Sequence, residues 1–303
     1  MAALNLEPER VAEGVWRFVL PSQTLPPFEH TNSYLVQRGG EAVLIDVGSA
    51  DPVVLGTLAT DLKALGVTKL KALLLTHTHP DHCAGAAALK ARYGADVYVH
   101  ALEHARLDFP AEILGDGDTF SVGGEHLLVY HTPGHSPGHL SFSLPDTVTN
   151  TVTGTATDSA TGTLTVFVGD LLAAEGSTWV GLPEGNVSDY LASLKKLGAV
   201  LAQYPGSAVF GPGHGLLVRD PERRLEQVRA HRLAREAEIL AALTQPLTLP
   251  ALRKRSYPRV PAALDKLVEG TLRAHLDKLL DEGRVVSEGE TFRAAPRVKP
   301  HRS

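Results

Sequence analysis

A single cysteine, Cys83, among 303 residues excludes a disulfide within the chain. The N-terminal stretch does not join basic residues to a long apolar run, so neither export nor membrane insertion is signalled. A cytoplasmic address with no membrane partner is the expectation. Aromatic rings are sparse where nucleic acid would need them: only Tyr257 interleaves the basic run near the C-terminus, which argues against a stacking platform for bases. A positive balance is missing as well, with 29 Lys and Arg against 34 Asp and Glu and a net charge of −5. Sequence-specific reading of DNA is disfavoured by that balance. At this length, and with 43% hydrophobic residues, the chain can bury one large core and a smaller one.

What is present is concentrated in one heptapeptide. His77, His79, Asp81 and His82 lie in Thr76-His77-Thr78-His79-Pro80-Asp81-His82, directly after the apolar run 72–75. Alternate residues of a strand point to the same side, so His77 and His79 converge on one ion while Asp81 and His82, past Pro80, can swing toward a second. Imidazole and carboxylate donors suit zinc first, with manganese or iron also accepted. Matching partners occur downstream: His135 in the Pro- and Gly-rich turn 132–139, Asp170 after the apolar strand 164–168, and His214 in Gly211-Pro212-Gly213-His214-Gly215 after the strand 208–210. Strand ends in a layered α/β fold gather at one edge, so the seven residues can meet there. Cys83 is a bystander beside a ligand set that is already complete. His139 serves either as an acid or as a structural histidine of the Pro-Gly loop. His30, Asn32 and Tyr34 either border the cleft or form a polar approach to a strand.

The runs 15–20, 32–37 and 42–46 read as an antiparallel meander, with a hairpin turn at 38–40 between the last two. Helices then alternate with strands: a helix over 52–65, a strand over 72–75, a helix over 84–93, a strand over 96–99 and a short helix from Ala101. A second batch of strands spans 125–131, 139–144, 164–168 and 208–210, with a helix over 187–203. Thr recurs at every second position from 147 to 157 and again at 161, 163 and 165, which reads as a β-hairpin insert over 146–165. Such an insert is either a solvated surface feature or an arm that packs on a second copy of the chain, and the expected homodimer would form through it or through the basic tail. From Pro221 onward, 17 Lys and Arg face 11 Asp and Glu, whereas the preceding residues carry 12 against 23. Helical patterns over 221–243, 249–257 and 261–282, with Gly283 as a C-cap and a hairpin at 284–294, describe a winged-helix module. The division is therefore drawn as a catalytic domain at 1–220 and a winged-helix domain at 221–303.

Asp46, the cluster from His77 to His82, His135, Asp170 and His214 match the sequential motifs of the metallo-β-lactamase superfamily, which the chain resembles. That resemblance implies an αββα sandwich in the α/β (α+β) class, with one metal held by His77, His79 and His135, a second by Asp81, His82 and His214, and Asp170 bridging. Asp46 would orient the cluster from behind, and Asp81 could also relay a proton. Together with the winged helix, the segments 169–178 and 188–197 resemble the β-lactamase-like protein 2 group. That group includes endoribonucleases acting on single-stranded RNA and relatives that hydrolyse acyl-carrier thioesters. The expectation is a dinuclear hydrolase in which two divalent cations generate a bridging hydroxide and polarise the scissile group. Single-stranded RNA is the preferred substrate, and the alternative is a thioester of the glyoxalase II or acyl-carrier type.

Overall fold

The computed structural model describes residues 7–145, 162–204 and 206–296. Apart from its last positions, the Thr-rich insert expected at 146–165 lies outside them.

The first sheet contains β1 (Glu9–Ala12), β2 (Val15–Pro21), β3 (His30–Arg38), β4 (Glu41–Ile45), β5 (Lys69–Leu74), β6 (Asp96–Val99) and β7 (Glu112–Ile113), side by side in chain order. Strands β1 to β4 pair antiparallel, and β4 to β7 pair parallel. Parallel neighbours need crossovers. These contain α1 (Pro52–Ala64), α2 (Pro80–Cys83), α3 (Ala86–Tyr93) and α4 (Ala101–His104). Asp51 starts α1 by accepting the Val53 N–H at 2.7 Å, with proline in the first turn where no N–H is required. The helix expected from residue 84 begins at Ala86. Before it, Pro80 opens the separate turn α2, which carries Asp81 and His82.

The second sheet has the order β12-β11-β10-β9-β8, from β8 (Thr119–Val122), β9 (Glu125–His131), β10 (Leu140–Pro145), β11 (Thr163–Gly169) and β12 (Ser207–Pro212). Its one parallel pair, β11 with β12, is joined through α5 (Val187–Gln203), which Asn186 caps by accepting the Asp189 N–H at 3.0 Å. Alternation along the strands sorts side chains into layers. Tyr34, Val36, Val43 and Ile45 meet Val129, Phe142 and Phe167 between the sheets. Leu35, Leu44 and Leu73 point the other way, onto Leu58 and Leu62 of α1 and Leu89 of α3. Behind the second sheet, Val166 and Val168 pack on Tyr190, Leu194 and Leu197 of α5. The result is the αββα sandwich expected from the sequence.

The C-terminal module follows as α6 (Pro221–Ala242), β13 (Leu247–Thr248), α7 (Leu249–Ser256), α8 (Asp265–Asp281), β14 (Val285–Glu288) and β15 (Thr291–Ala294). Its last helix begins later than position 261 because a 3-10 turn, Ala262–Leu264, intervenes. Ile239, Leu252, Leu272, Leu276, Val285 and Phe292 form its core. Helix α6 belongs to two cores at once: Leu225 and Val228 pack with α5, while Ile239 and Ala242 pack inside the module. Among the described residues no helix is long and apolar enough to cross a membrane.

Candidate metal centre

The seven residues marked in the sequence converge at the ends of the inner strands. His77 and His79 follow β5, Asp81 and His82 sit on α2, His135 lies between β9 and β10, Asp170 directly follows β11, and His214 follows β12. Three groups of potential ligand atoms each lie within 4.8 Å of one another: His77, His79 and His135; His77, His82 and Asp170; Asp81, His82 and His214.

The outward nitrogens fix which way each ring faces. His135 Nδ1 donates to the Trp179 carbonyl at 2.8 Å, and His214 Nδ1 donates to the His30 carbonyl at 2.7 Å. His79 Nε2 donates to the Glu184 carboxylate at 3.1 Å, and His82 Nδ1 donates to Asp46 Oδ2 at 2.8 Å. Thr76 Oγ1 gives its own proton to Asp46 Oδ2 at 2.7 Å and so can accept from His77 Nδ1 at 3.0 Å. With these tautomers assigned from the partners, every neutral ring turns an unprotonated nitrogen inward. His79 Nδ1 then lies 3.0 Å from His77 Nε2 and 3.0 Å from His135 Nε2. On the other side, His82 Nε2 and His214 Nε2 are 3.3 Å apart, and each faces Asp170 Oδ1, at 3.3 and 3.4 Å. His214 Nε2 is also 3.4 Å from Asp81 Oδ2, and Asp170 Oδ2 is 3.6 Å from His135 Nε2. Lone pairs and carboxylates crowded this closely repel one another unless a shared cation lies between them. The donor set therefore fits two divalent metal ions.

The electrostatics point the same way. Burial would lower the affinity of His82 and His214 for protons, but Asp170, together with Asp46 at His82 and Asp81 at His214, raises both, His214 to about 9. Burial pushes the Asp170 carboxyl up, and the charges and hydrogen bonds of His214 and His82 bring it well below its ordinary range. Asp81 follows the same balance and falls to about 2. His77 lies well below its ordinary range through burial and then through the neighbouring His82, His79 and His135. The carboxylates thus draw positive charge to the centre of the cluster.

Backbone conformation makes the convergence possible. Asp46 is the only non-glycine residue with positive φ among those described, at 57°. That conformation turns its carboxylate onto the Thr76 N–H, at 2.7 Å, as well as onto His82. Gly213 admits a close approach: a Cβ there would lie 2.5 Å from both Asp170 Oδ1 and His82 Cε1.

The residues with two sequence readings resolve as supports. His139 is fully buried, and its Nε2 accepts the Asp170 N–H at 3.1 Å, which occupies the atom that an acid would use. Asn32 Nδ2 donates to Pro212 O and Gly215 O, each at 2.9 Å, and Tyr34 Oη donates to Pro212 O at 2.8 Å, so both hold the loop of His214. Cys83 directs its thiol to the Thr78 carbonyl at 3.4 Å, and burial pushes it up to about 11, consistent with a bystander.

A family model described as the metallo-beta-lactamase superfamily matches residues 26–149, and one described as the beta-lactamase associated winged helix domain matches 248–293. The chain carries a metallo-beta-lactamase superfamily domain followed by the associated winged-helix domain. It is accordingly a metal-dependent hydrolase with the associated winged helix appended. A protein called beta-lactamase-like protein 2 homolog, from Drosophila melanogaster, is 26% identical over 91% of this chain and 91% of its own. An atrochrysone carboxyl ACP thioesterase from Aspergillus chevalieri is 29% identical over 71% of this chain and 61% of its own. The crystal structure of a metallo-beta-lactamase family protein from Thermus thermophilus superposes with a TM-score of 0.72 at 27% identity, covering 94% of this chain and 100% of the other.

Several supporting groups of this metallo-beta-lactamase site escaped the sequence reading. Glu103, fully buried on α4, accepts from Thr78 Oγ1 at 2.5 Å and from the Gly138 N–H at 3.0 Å, tying the loop of His79 to the loop of His135. Glu184 holds His79 and is itself bound by Arg106 at 2.6 Å. Trp179 supplies the carbonyl for His135. No local spacing announces them, since all three act across long sequence separations. Thr76 was legible only as the residue before His77.

Proposed function

We propose that the chain hydrolyses thioesters. In this reading His77, His79 and His135 hold one divalent cation and Asp81, His82 and His214 hold a second, with one Asp170 oxygen turned to each. Zinc suits these donors first, with manganese or iron also accepted. When bound, the two cations supply the positive charge that makes a water acidic near neutral pH and polarises a scissile carbonyl. Glu184, Asp46 and the carbonyls of Trp179 and His30 hold the outer ring N–H groups of His79, His82, His135 and His214, so that the other ring nitrogen of each faces the cations. Asp81, part-exposed at the rim, is placed to take a proton from water and return it to the departing thiolate.

The observation that carries the substrate class is the chemistry of the mouth. Phe28 stacks on His214 with ring centroids 5.3 Å apart and planes inclined by 15°. Leu216, two positions beyond His214, is 64% exposed, and Leu182, two positions before Glu184, is 38% exposed. The nearby guanidinium groups are occupied: Arg106 by Glu184, and Arg17 by Glu9 at 2.5 Å and the Gly215 carbonyl at 2.7 Å. Exposed apolar residues beside the site residues in the chain, with the neighbouring cations already paired, suit an acyl group better than a chain of phosphates. The carrier-protein thioesterase among the relatives supports the same reading.

One observation favours single-stranded RNA as a second reading. Lys254, Arg255, Arg259 and Lys266 are exposed and, among the described residues, free of ion pairs. Other cations of the tail are neutralised: Arg253 by Asp265, Arg235 by Glu238, Arg284 by Glu236 and Glu282, and Arg293 by Glu288. The deciding experiment presents the zinc-loaded chain with S-acyl glutathione, an acyl-CoA and an unstructured oligoribonucleotide at low and high salt. Thioester turnover with little salt dependence, abolished in His77→Ala, is expected. Cleavage of RNA alone, falling steeply with salt, would replace the thioester reading with the nuclease one.

A further inference from the structure

In a winged helix that reads DNA, the helix before the wing is the one that enters the groove. Here that helix, α8, faces inward, onto the loop of residues 178–184. Leu182 N–H donates to the Gly270 carbonyl at 3.1 Å, and the Trp179 indole N–H donates to the Leu267 carbonyl at 3.2 Å. Glycine on both sides permits the contact: a Cβ on Gly181 would lie 2.8 Å from Gly270 C, and one on Gly270 would lie 2.9 Å from Leu182 O. From α6, Arg232, only 3% exposed, donates to the Thr178 carbonyl.

The same seven residues reach the metal centre from the other side. Trp179 O accepts a hydrogen bond from His135 Nδ1, and Glu184 accepts one from His79 Nε2. Two of the three imidazoles of one ligand group are therefore oriented by a loop that the winged-helix module holds in place. Outer partners of this kind set ring orientation and basicity, and losing one typically costs about 10- to 100-fold in metal affinity.

We propose that the winged-helix module is a working part of the metal centre: through Gly270, Leu267 and Arg232 it positions the loop 178–184, and through that loop it sets the affinity of the His77, His79 and His135 site. The inference rests on the ligand assignment made above. Trp179 and Gly270 are positioning residues in this scheme, since neither touches the reacting atoms.

The test titrates the metal-stripped full chain with Zn2+ against a chromophoric chelator, comparing the parent chain with Trp179→Phe, Gly270→Val and Arg273→Ala. The last is a control on α8 whose guanidinium pairs with Asp277 and lies over Phe292, away from the loop. Trp179→Phe keeps a ring in place but removes the indole donor, and is expected to weaken one of the two zinc steps by roughly tenfold while leaving the other unchanged. Gly270→Val should act on the same step at least as strongly, and Arg273→Ala on neither. A module that is merely attached would change the unfolding midpoint of the metal-free chain without changing either zinc step. That outcome in both Trp179→Phe and Gly270→Val would overturn the inference. A parent chain that takes up fewer than two zinc ions would instead overturn the ligand assignment, and the inference with it.

Discussion

Asp46 concentrates more of the site's geometry than any other residue that does not face the centre. Its φ of 57° lies in the left-handed region, where asparagine and aspartate are tolerated far better than residues with other side chains. One carboxylate oxygen takes the Thr76 N–H, and the other takes both the Thr76 hydroxyl and His82 Nδ1. Asp46→Asn should preserve the backbone but place an N–H2 donor where an acceptor is required. The expected result is a wild-type circular dichroism spectrum with the Zn2+ affinity of the His82 site lowered about 10- to 100-fold, measured by chelator competition. Asp46→Ala adds strain to the same loss and should also lower the unfolding midpoint. Unchanged zinc affinity in Asp46→Asn would remove Asp46 from the support of His82.

At the scale of elements, the contact between α6 and α8 carries an unusual cost. His275 is fully buried on α8, and among the described residues neither of its ring nitrogens has a hydrogen-bond partner. Burial first, and then Arg232, Arg235 and His231 on α6 and Lys278 on its own helix, hold it down at about 3, so the folded ring is neutral. The unfolded ring protonates below about 6.5, so acid favours unfolding through this residue. Protonation adds nothing to its cost above about pH 6.5, where the ring is neutral in both states, and the cost grows as pH falls toward 3. His275→Leu should raise stability by roughly 1–2 kcal/mol at pH 7.5 and by more at pH 5, read from urea midpoints. Parallel loss of stability by both proteins between these pH values would contradict the assignment. The elements themselves were largely legible: the runs 32–37 and 42–46 are β3 and β4, whose two faces are both buried, and the 3.6-residue spacing of Leu272, Leu276 and Leu279 is the buried stripe of α8. What stayed hidden was tertiary. Glu103, Trp179 and Glu184 carry no periodic signal, and the sequence spacing of α8 does not say that one of its faces rests on the catalytic loop. The short edge elements β1 and β7 also went unseen, because strands of four and two residues leave too little alternation to detect.

At the scale of the molecule, the sandwich and the winged helix are joined in two places. Helix α6 runs from one core into the other, and α8 meets the loop 178–184, with Ala274 packed among the residues behind the second sheet. The charge asymmetry of the sequence does not pull the halves apart, since many of the tail's cations are neutralised within the module. A continuous helix and a contact built on paired glycines should make the two parts unfold as one. The chain's two tryptophans allow this to be followed: Trp16 lies on β2, and Trp179 lies at the junction. In a Trp16→Phe variant all tryptophan fluorescence comes from Trp179, so it reports the junction directly. Its thermal transition is expected to coincide with that of the far-ultraviolet circular dichroism, and both should move upward together as Zn2+ is added, because a ligand that binds only the folded state stabilises everything coupled to it. If the Trp179 signal melted several degrees before the helices and did not respond to zinc, the module would be docked independently of the metal centre.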